Sequence, residues 1–168
     1  MALADKALTS DPPDFTSGLF DGQNVGLLLN STSTAEPLKV IYGQREVGDP
    51  RVFIESNGTD NEFLHLVIVC GEGECSSINA IKIDGVLSTD AHFNSLVDIH
   101  HHLETDDQAA DPDLVSRVAG WTKNHKLSGA VYTYICLKWD EEAFNGFPTI
   151  TADGNWKIVY DVRDLTWK

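Results

Sequence analysis

Residues 62–70 constrain this chain more than any other segment. Leu64, Leu66, Ile68 and Cys70 fall on one side of an extended chain, and Phe63, His65, Val67 and Val69 fall on the other. Both sides are largely apolar, which predicts a central strand covered on two faces. The run is too short to cross a bilayer and is interrupted by His65. Two coverings need a substantial core. A chain of 168 residues with 42% hydrophobic side chains supplies one within a single domain.

The flanking sequence reads as mainly β, a β-rich α+β domain built on an antiparallel, barrel-like sheet with one or two short helices. Residues 37–42 predict a strand ended by Gly43, and residues 51–56 predict another after the Gly48-Asp49-Pro50 turn. Residues 71–74, rich in Gly, break the central strand. Residues 78–83 predict a further strand, and Asp84-Gly85 is a two-residue hairpin signal before Val86-Leu87. Residues 97–103 predict a strand carrying three histidines. Residues 126–139 form the longest strand candidate, rich in aromatic and β-branched side chains. Residues 149–152, an Asp153-Gly154 turn and residues 155–160 predict a second hairpin. The best helix signal begins near Asp106, with capping side chains in residues 105–108. Pro112 fits only a first turn, which confines the helix to residues 112–118. Residues 1–24, rich in Asp, Pro, Ser and Gly, predict an extended arm, and residues 25–168 the β-rich domain. A short apolar run at residues 25–30 opens that domain.

Charge narrows the function. Twelve Lys and Arg against 26 Asp and Glu give a net charge of −14. Stable nucleic-acid binding and attachment to an anionic membrane both need clustered cations, so neither is expected. Residues 1–10 lack the apolar core of a secretory signal. Cys70, Cys75 and Cys136 lie in or beside apolar runs, which fits buried thiols in a chain made in a cytoplasm.

No catalytic, cofactor or metal site is assigned. On a strand, His100 and His102 share a face, an arrangement able to bind zinc or copper. However, neither a His-Glu-x-x-His nor a Cys-x-x-Cys partner is present, and adjacent histidines commonly line a half-buried polar face. Cys70 and Cys75 have the wrong spacing for a zinc knuckle. Cys136 and His125 lack a motif that would place a nucleophile on a special turn, and Ser76, Ser77 and Ser116 lack a nucleophile elbow. The chain is expected to be no enzyme. Trp121, Trp139, Trp156 and Trp167, with Tyr132, Tyr134 and Tyr160, suit a sugar-binding platform, a β core or an oligomer interface.

Taken in order, the segments resemble a known family. Residues 35–48 carry Pro37, Tyr42-Gly43, Arg45 and Val47-Gly48. Residues 52–67 carry Val52-Phe53, Gly58, Asp60-Asn61, Phe63-Leu64 and His65. Gly71-Glu72 precedes Ile78 and residues 81–85. His102, Thr105, Asp107-Gln108 and Asp111 are followed by Trp121, His125, Leu127, Gly129 and Tyr132. Leu137, Asp140, Phe144, Gly146, Pro148 and residues 159–161 close the series. Over residues 18–164 this pattern resembles the tail tip hub of long-tailed phages, also called the tip attachment or host-specificity protein J family, with relatives in tailocins and gene-transfer particles. Asp49 stands where the family usually has a second glycine, and Cys75 where it has an aliphatic residue.

The resemblance implies a structural virion protein of the tail tip, forming a homotrimeric ring at the distal end of the tail tube. The implied partners are the distal tail protein and other tail tip proteins, and the implied role is support of host attachment and genome delivery. Family members usually continue well past the position of Lys168, so the resemblance implies either an N-terminal piece of a hub or a hub split into separate polypeptides. It also recasts the charge. A protein around a DNA channel should repel phosphate, with acids such as those in residues 104–113 facing the lumen. A stand-alone carbohydrate- or receptor-binding β domain is the alternative, resting on the Trp and Tyr content.

Overall fold

A computed structural model describes residues 37–157 except Asp49 and Asp106. The predicted arm, the apolar run at residues 25–30, Trp167 and Tyr160 lie outside the described residues. Eight strands and one α-helix are present among them: β1 Gln44–Gly48, β2 Arg51–Asn57, β3 Phe63–Glu72, β4 Cys75–Ile83, β5 Val86–Leu87, β6 Val97–His102, α1 Pro112–Arg117, β7 Ala130–Lys138 and β8 Ile150–Lys157. They form two antiparallel sheets, one ordered β2-β3-β7-β6 and the other β1-β8-β4-β5. The fold is mainly β and antiparallel with one short α-helix, as expected; among the described residues each sheet is four-stranded and neither closes into a barrel.

The two-sided strand is β3, and its alternation explains the layering. Leu66, Ile68 and Cys70 join Val131, Ile135 and Leu137 of β7 and meet Ile81, Ile83, Ile150, Ala152 and Trp156 of the second sheet. The opposite side presents Val67 and Val69, with Tyr132, Tyr134 and Cys136 of β7. There the cover is Leu114 of α1, with Val118 and Trp121 just after it. A fully buried side chain of this size contributes roughly 1.5–3 kcal/mol, so neither cover is dispensable. Direct register across the pair, from Phe63 opposite Lys138 to Glu72 opposite Ala130, is broken by a bulge between Val69 and Gly71.

Hairpin chemistry holds at Asp84-Gly85, where both residues have positive φ, 50° and 83°. The predicted turn at Asp153-Gly154 is overturned. Both residues lie inside continuous β8, opposite Glu46 and Arg45 on one side and Ala80 and Ile78 on the other. Gly154 serves close approach instead, since a Cβ there would lie 2.7 Å from the Ser77 carbonyl oxygen. The strand expected at residues 37–42 is also corrected. Only Tyr42 makes an isolated bridge, to Lys157, and regular pairing starts at Gln44. Leu38, Val40 and Tyr42 face solvent while Ile41 on the other side enters the core. The segment's backbone meets the sheets through hydrogen bonds from the Glu72 N–H to the Lys39 carbonyl and from the Lys157 N–H to the Ile41 carbonyl. The strand expected at residues 126–139 begins only at Ala130, because Leu127 and Gly129 turn the chain with positive φ.

We expect Gly154→Ala to lower stability by about 1–3 kcal/mol, because the β4 backbone must move to admit a methyl group. Urea unfolding measures it. An unchanged midpoint would remove the close-approach explanation.

Candidate functional site

The densest polar chemistry lies where edge strand β6 meets α1. Asp111 caps the helix. Its Oδ1 accepts the Leu114 N–H at 2.8 Å, and Pro112 occupies the first turn, where its missing N–H costs nothing. The cap was expected among residues 105–108; the structure moves it to Asp111. Gln108 is used otherwise. Its side-chain NH2 donates to the carbonyls of Lys126, Leu127 and Ala130, at 3.0, 3.1 and 3.1 Å, and its Oε1 accepts the Glu104 N–H. This buried amide ties two irregular segments whose backbone has few ladder partners.

The second oxygen of Asp111 gathers two histidines. His100 Nδ1 lies 2.8 Å and His102 Nε2 3.0 Å from Oδ2, and the carboxylate is only 2% exposed. Burial acts to raise the Asp111 acid. The hydrogen bonds from His102, the Leu114 N–H and His100 outweigh it and hold the group at about 2. Ionised Asp111 only accepts, so both ring nitrogens donate. His102 stacks on Tyr132 with centroids 4.2 Å apart, while His101 turns to the opposite face and meets Thr133 Oγ1 at 3.0 Å. His100 and His102 thus share a face, as expected, but their convergence point is a carboxylate. Asp111 is correspondingly unavailable to a lumen surface, which corrects that part of the expectation for residues 104–113.

A second network runs beside it. Buried His65 places Nδ1 2.9 Å from the Tyr134 hydroxyl and Nε2 2.9 Å from Asn57 Oδ1, while Asn57 Nδ2 donates to the Arg117 carbonyl at 2.7 Å. Asn57 Oδ1 accepts, so Nε2 carries the proton and Nδ1 accepts from Tyr134. Burial, with the nearby Arg117 charge, pushes the His65 pKa down and keeps the ring neutral. Arg117 extends across to Asp98 Oδ2 at 2.8 Å and Asp113 Oδ2 at 3.4 Å. A groove of about 660 Å³ opens here, lined by Asn57, Phe63, His65, Asp98, Arg117 and Lys138 among others.

The remaining candidates separate. Cys70, Cys75 and Cys136 are buried. Burial pushes the Cys136 thiol up, which makes it a poor nucleophile, and His125 is committed to the Thr122 N–H and hydroxyl. Trp121 and Trp156 are buried, as are Tyr132 and Tyr134, so most of the supposed sugar platform is core. Trp139 stays 53% exposed beside an apolar groove of about 410 Å³ lined by Ile54, Leu64, Phe144, Phe147 and Pro148. Asn57, Asp111 and Arg117 were absent from any sequence-based site. The signal that would have found Asp111 as a cap is the Asp-Pro step ahead of the helix.

No family model matches the chain, and no curated protein matches it. Among solved structures it is similar to a chain of the virion of a native gene transfer agent particle. The match has a TM-score of 0.56 and 20% identity, covering 76% of this chain and 28% of that one. The likeness is one of fold, and this chain spans less than a third of that protein.

Replacing His65 by Phe leaves the Tyr134 hydroxyl and Asn57 without their buried partner, a cost of roughly 1–3 kcal/mol near pH 7. Because the folded His65 pKa is depressed, its contribution is complete above about pH 6.5 and is lost as pH falls through the folded value. Urea unfolding at stepped pH should therefore show the gap between wild type and His65→Phe narrowing from pH 7 to 5. A gap that widens would contradict the neutral ring.

Proposed function

We propose that this chain is a non-enzymatic structural component of a phage-type tail tip, a baseplate hub module. In this reading it assembles at the distal end of the tail tube and supports host attachment and genome delivery. The observation that carries the reading is the fold likeness to a gene transfer agent virion chain over 76% of this chain. The ordered resemblance of residues 18–164 to tail tip hub proteins points the same way. Coverage of only 28% of the virion chain suits a module within a larger hub assembly.

In this reading the domain forms a homotrimeric ring with the distal tail and other tail tip proteins, in a virion assembled in the host cytoplasm. The two sheets supply a rigid body. The acidic balance, −14 overall, keeps passing DNA from adhering to whatever surface faces the channel. The alternative, a receptor- or carbohydrate-binding domain, is left with exposed Trp139 and its apolar groove.

Two measurements test the proposal. Mass spectrometry and immunogold labelling of purified particles should find the chain at the tail tip, whereas its absence from particles, together with glycan-array binding by a soluble monomer, would favour the alternative. Deletion of residues 1–24 should leave a folded domain and reduce incorporation into particles, because an extended arm loses its ordering entropy only on docking. Loss of folding in that deletion would contradict the arm assignment.

A further inference from the structure

We propose that Asp98, His100 and Asp113 form a binding site for one divalent transition-metal ion of the zinc class, with Asp111 orienting His100. The site differs from the histidine pair that the sequence suggests, and it is independent of the tail tip reading.

The three ligand atoms converge from two elements. Asp98 and His100 are two residues apart on β6, so they share its outer face, and Asp113 stands in the first turn of α1 packed over that face. One ligand atom from each lies within 4.8 Å of the others. His100 Nε2 is 3.4 Å from Asp98 Oδ1 and 3.5 Å from Asp113 Oδ2. Those separations exceed the about 2.7–2.9 Å of a charge-assisted hydrogen bond. They match a different geometry: ligand atoms held tetrahedrally at about 2.0–2.1 Å from zinc lie roughly 3.3–3.4 Å apart.

The tautomer is already set for ligation. Buried Asp111 takes the His100 Nδ1–H at 2.8 Å, which leaves Nε2 as the nitrogen that faces the two carboxylates and is available to an ion. A carboxylate behind a ligating histidine fixes its ring and raises its basicity, and this is the usual companion of a metal-bound imidazole. His102 is excluded from the ligand set, because its Nε2 is held by Asp111 and its ring is stacked on Tyr132.

Arg117 belongs to the site without blocking it. Its shortest contact is to Asp98 Oδ2, at 2.8 Å, which leaves Oδ1 turned toward His100. Its contact with Asp113 Oδ2 is longer, at 3.4 Å, and an ion displaces it at small cost. The side chains of Asp98, His100 and Asp113 are 46%, 29% and 44% exposed, so an ion reaches them from solvent and keeps water in its remaining position. One nitrogen and two carboxylate oxygens favour zinc or a neighbouring first-row ion over calcium or magnesium.

Isothermal titration of the metal-stripped full chain with zinc sulfate at pH 7 tests this, with circular dichroism confirming that each variant folds. Expected is saturable uptake of one ion per chain with a rise in Tm. His100→Gln and Asp113→Asn should abolish it, Asp111→Asn should weaken it roughly 10–100-fold, and His102→Gln should leave it intact. Absence of saturable binding would overturn the proposal. So would binding that survives in His100→Gln and Asp113→Asn, or binding lost in folded His102→Gln, which would return the site to the histidine pair.

Discussion

The pairing of β3 with β7 is the constraint on which the rest depends. Both strands bury side chains on both faces, so the pair is stable only between two layers. One layer is the second sheet, an ordinary solution for an antiparallel β protein. The other is a single short helix and the irregular chain after it. Six helical residues have little stability of their own, since an isolated helix of that length does not persist in water. The outer cover must therefore be held in place by contacts other than helix propensity.

Polar side chains supply those contacts. Asp111 caps α1 and at the same time anchors it to β6 through His100 and His102. Gln108 fastens the preceding segment to the carbonyls before β7, and Asn57 ties the end of the helix back to β2 and His65. Each of these residues serves backbone groups that no sheet satisfies, and each is buried or half-buried, where an unmet hydrogen bond costs most. The same arrangement makes the metal site possible. Fixing α1 over β6 brings Asp113 to His100, and fixing His100 from behind exposes its other nitrogen.

Much of the sheet was legible in the sequence, because alternation reports burial directly. Residues 62–70 announced a central strand, Asp84-Gly85 announced a hairpin, and Pro112 bounded the helix. What failed did so because one local signal serves two physical purposes. Asp-Gly marks a turn where both residues take positive φ, as at Asp84-Gly85. The same dipeptide at Asp153-Gly154 meets a need for space beside Ser77. Residues 37–42 alternate like a strand and bury Ile41, but they lack a continuous ladder partner and make only an isolated bridge at Tyr42. The polar clamp was hidden for another reason. Asp111 lies 11 residues from His100, and Asn57 lies 60 residues from Arg117, so only the fold brings them together.

The sheet edges bear on how such a domain can assemble. An open sheet exposes unpaired backbone groups that recruit any extended chain, so edges are usually short, charged or bulged. Here β5 has two residues, β6 carries Asp98 and three histidines, β2 is bulged between Arg51 and Phe53, and β1 presents Gln44, Arg45 and Glu46. Each edge carries one of those defences. A ring built from copies of this domain would then rely on side-chain surfaces more than on continuous strand addition. The apolar groove beside Trp139, with Ile54 exposed on its rim, is a surface of that type. Specificity in such a contact comes from shape and aromatic burial, and it leaves the backbone edges closed to unselective pairing.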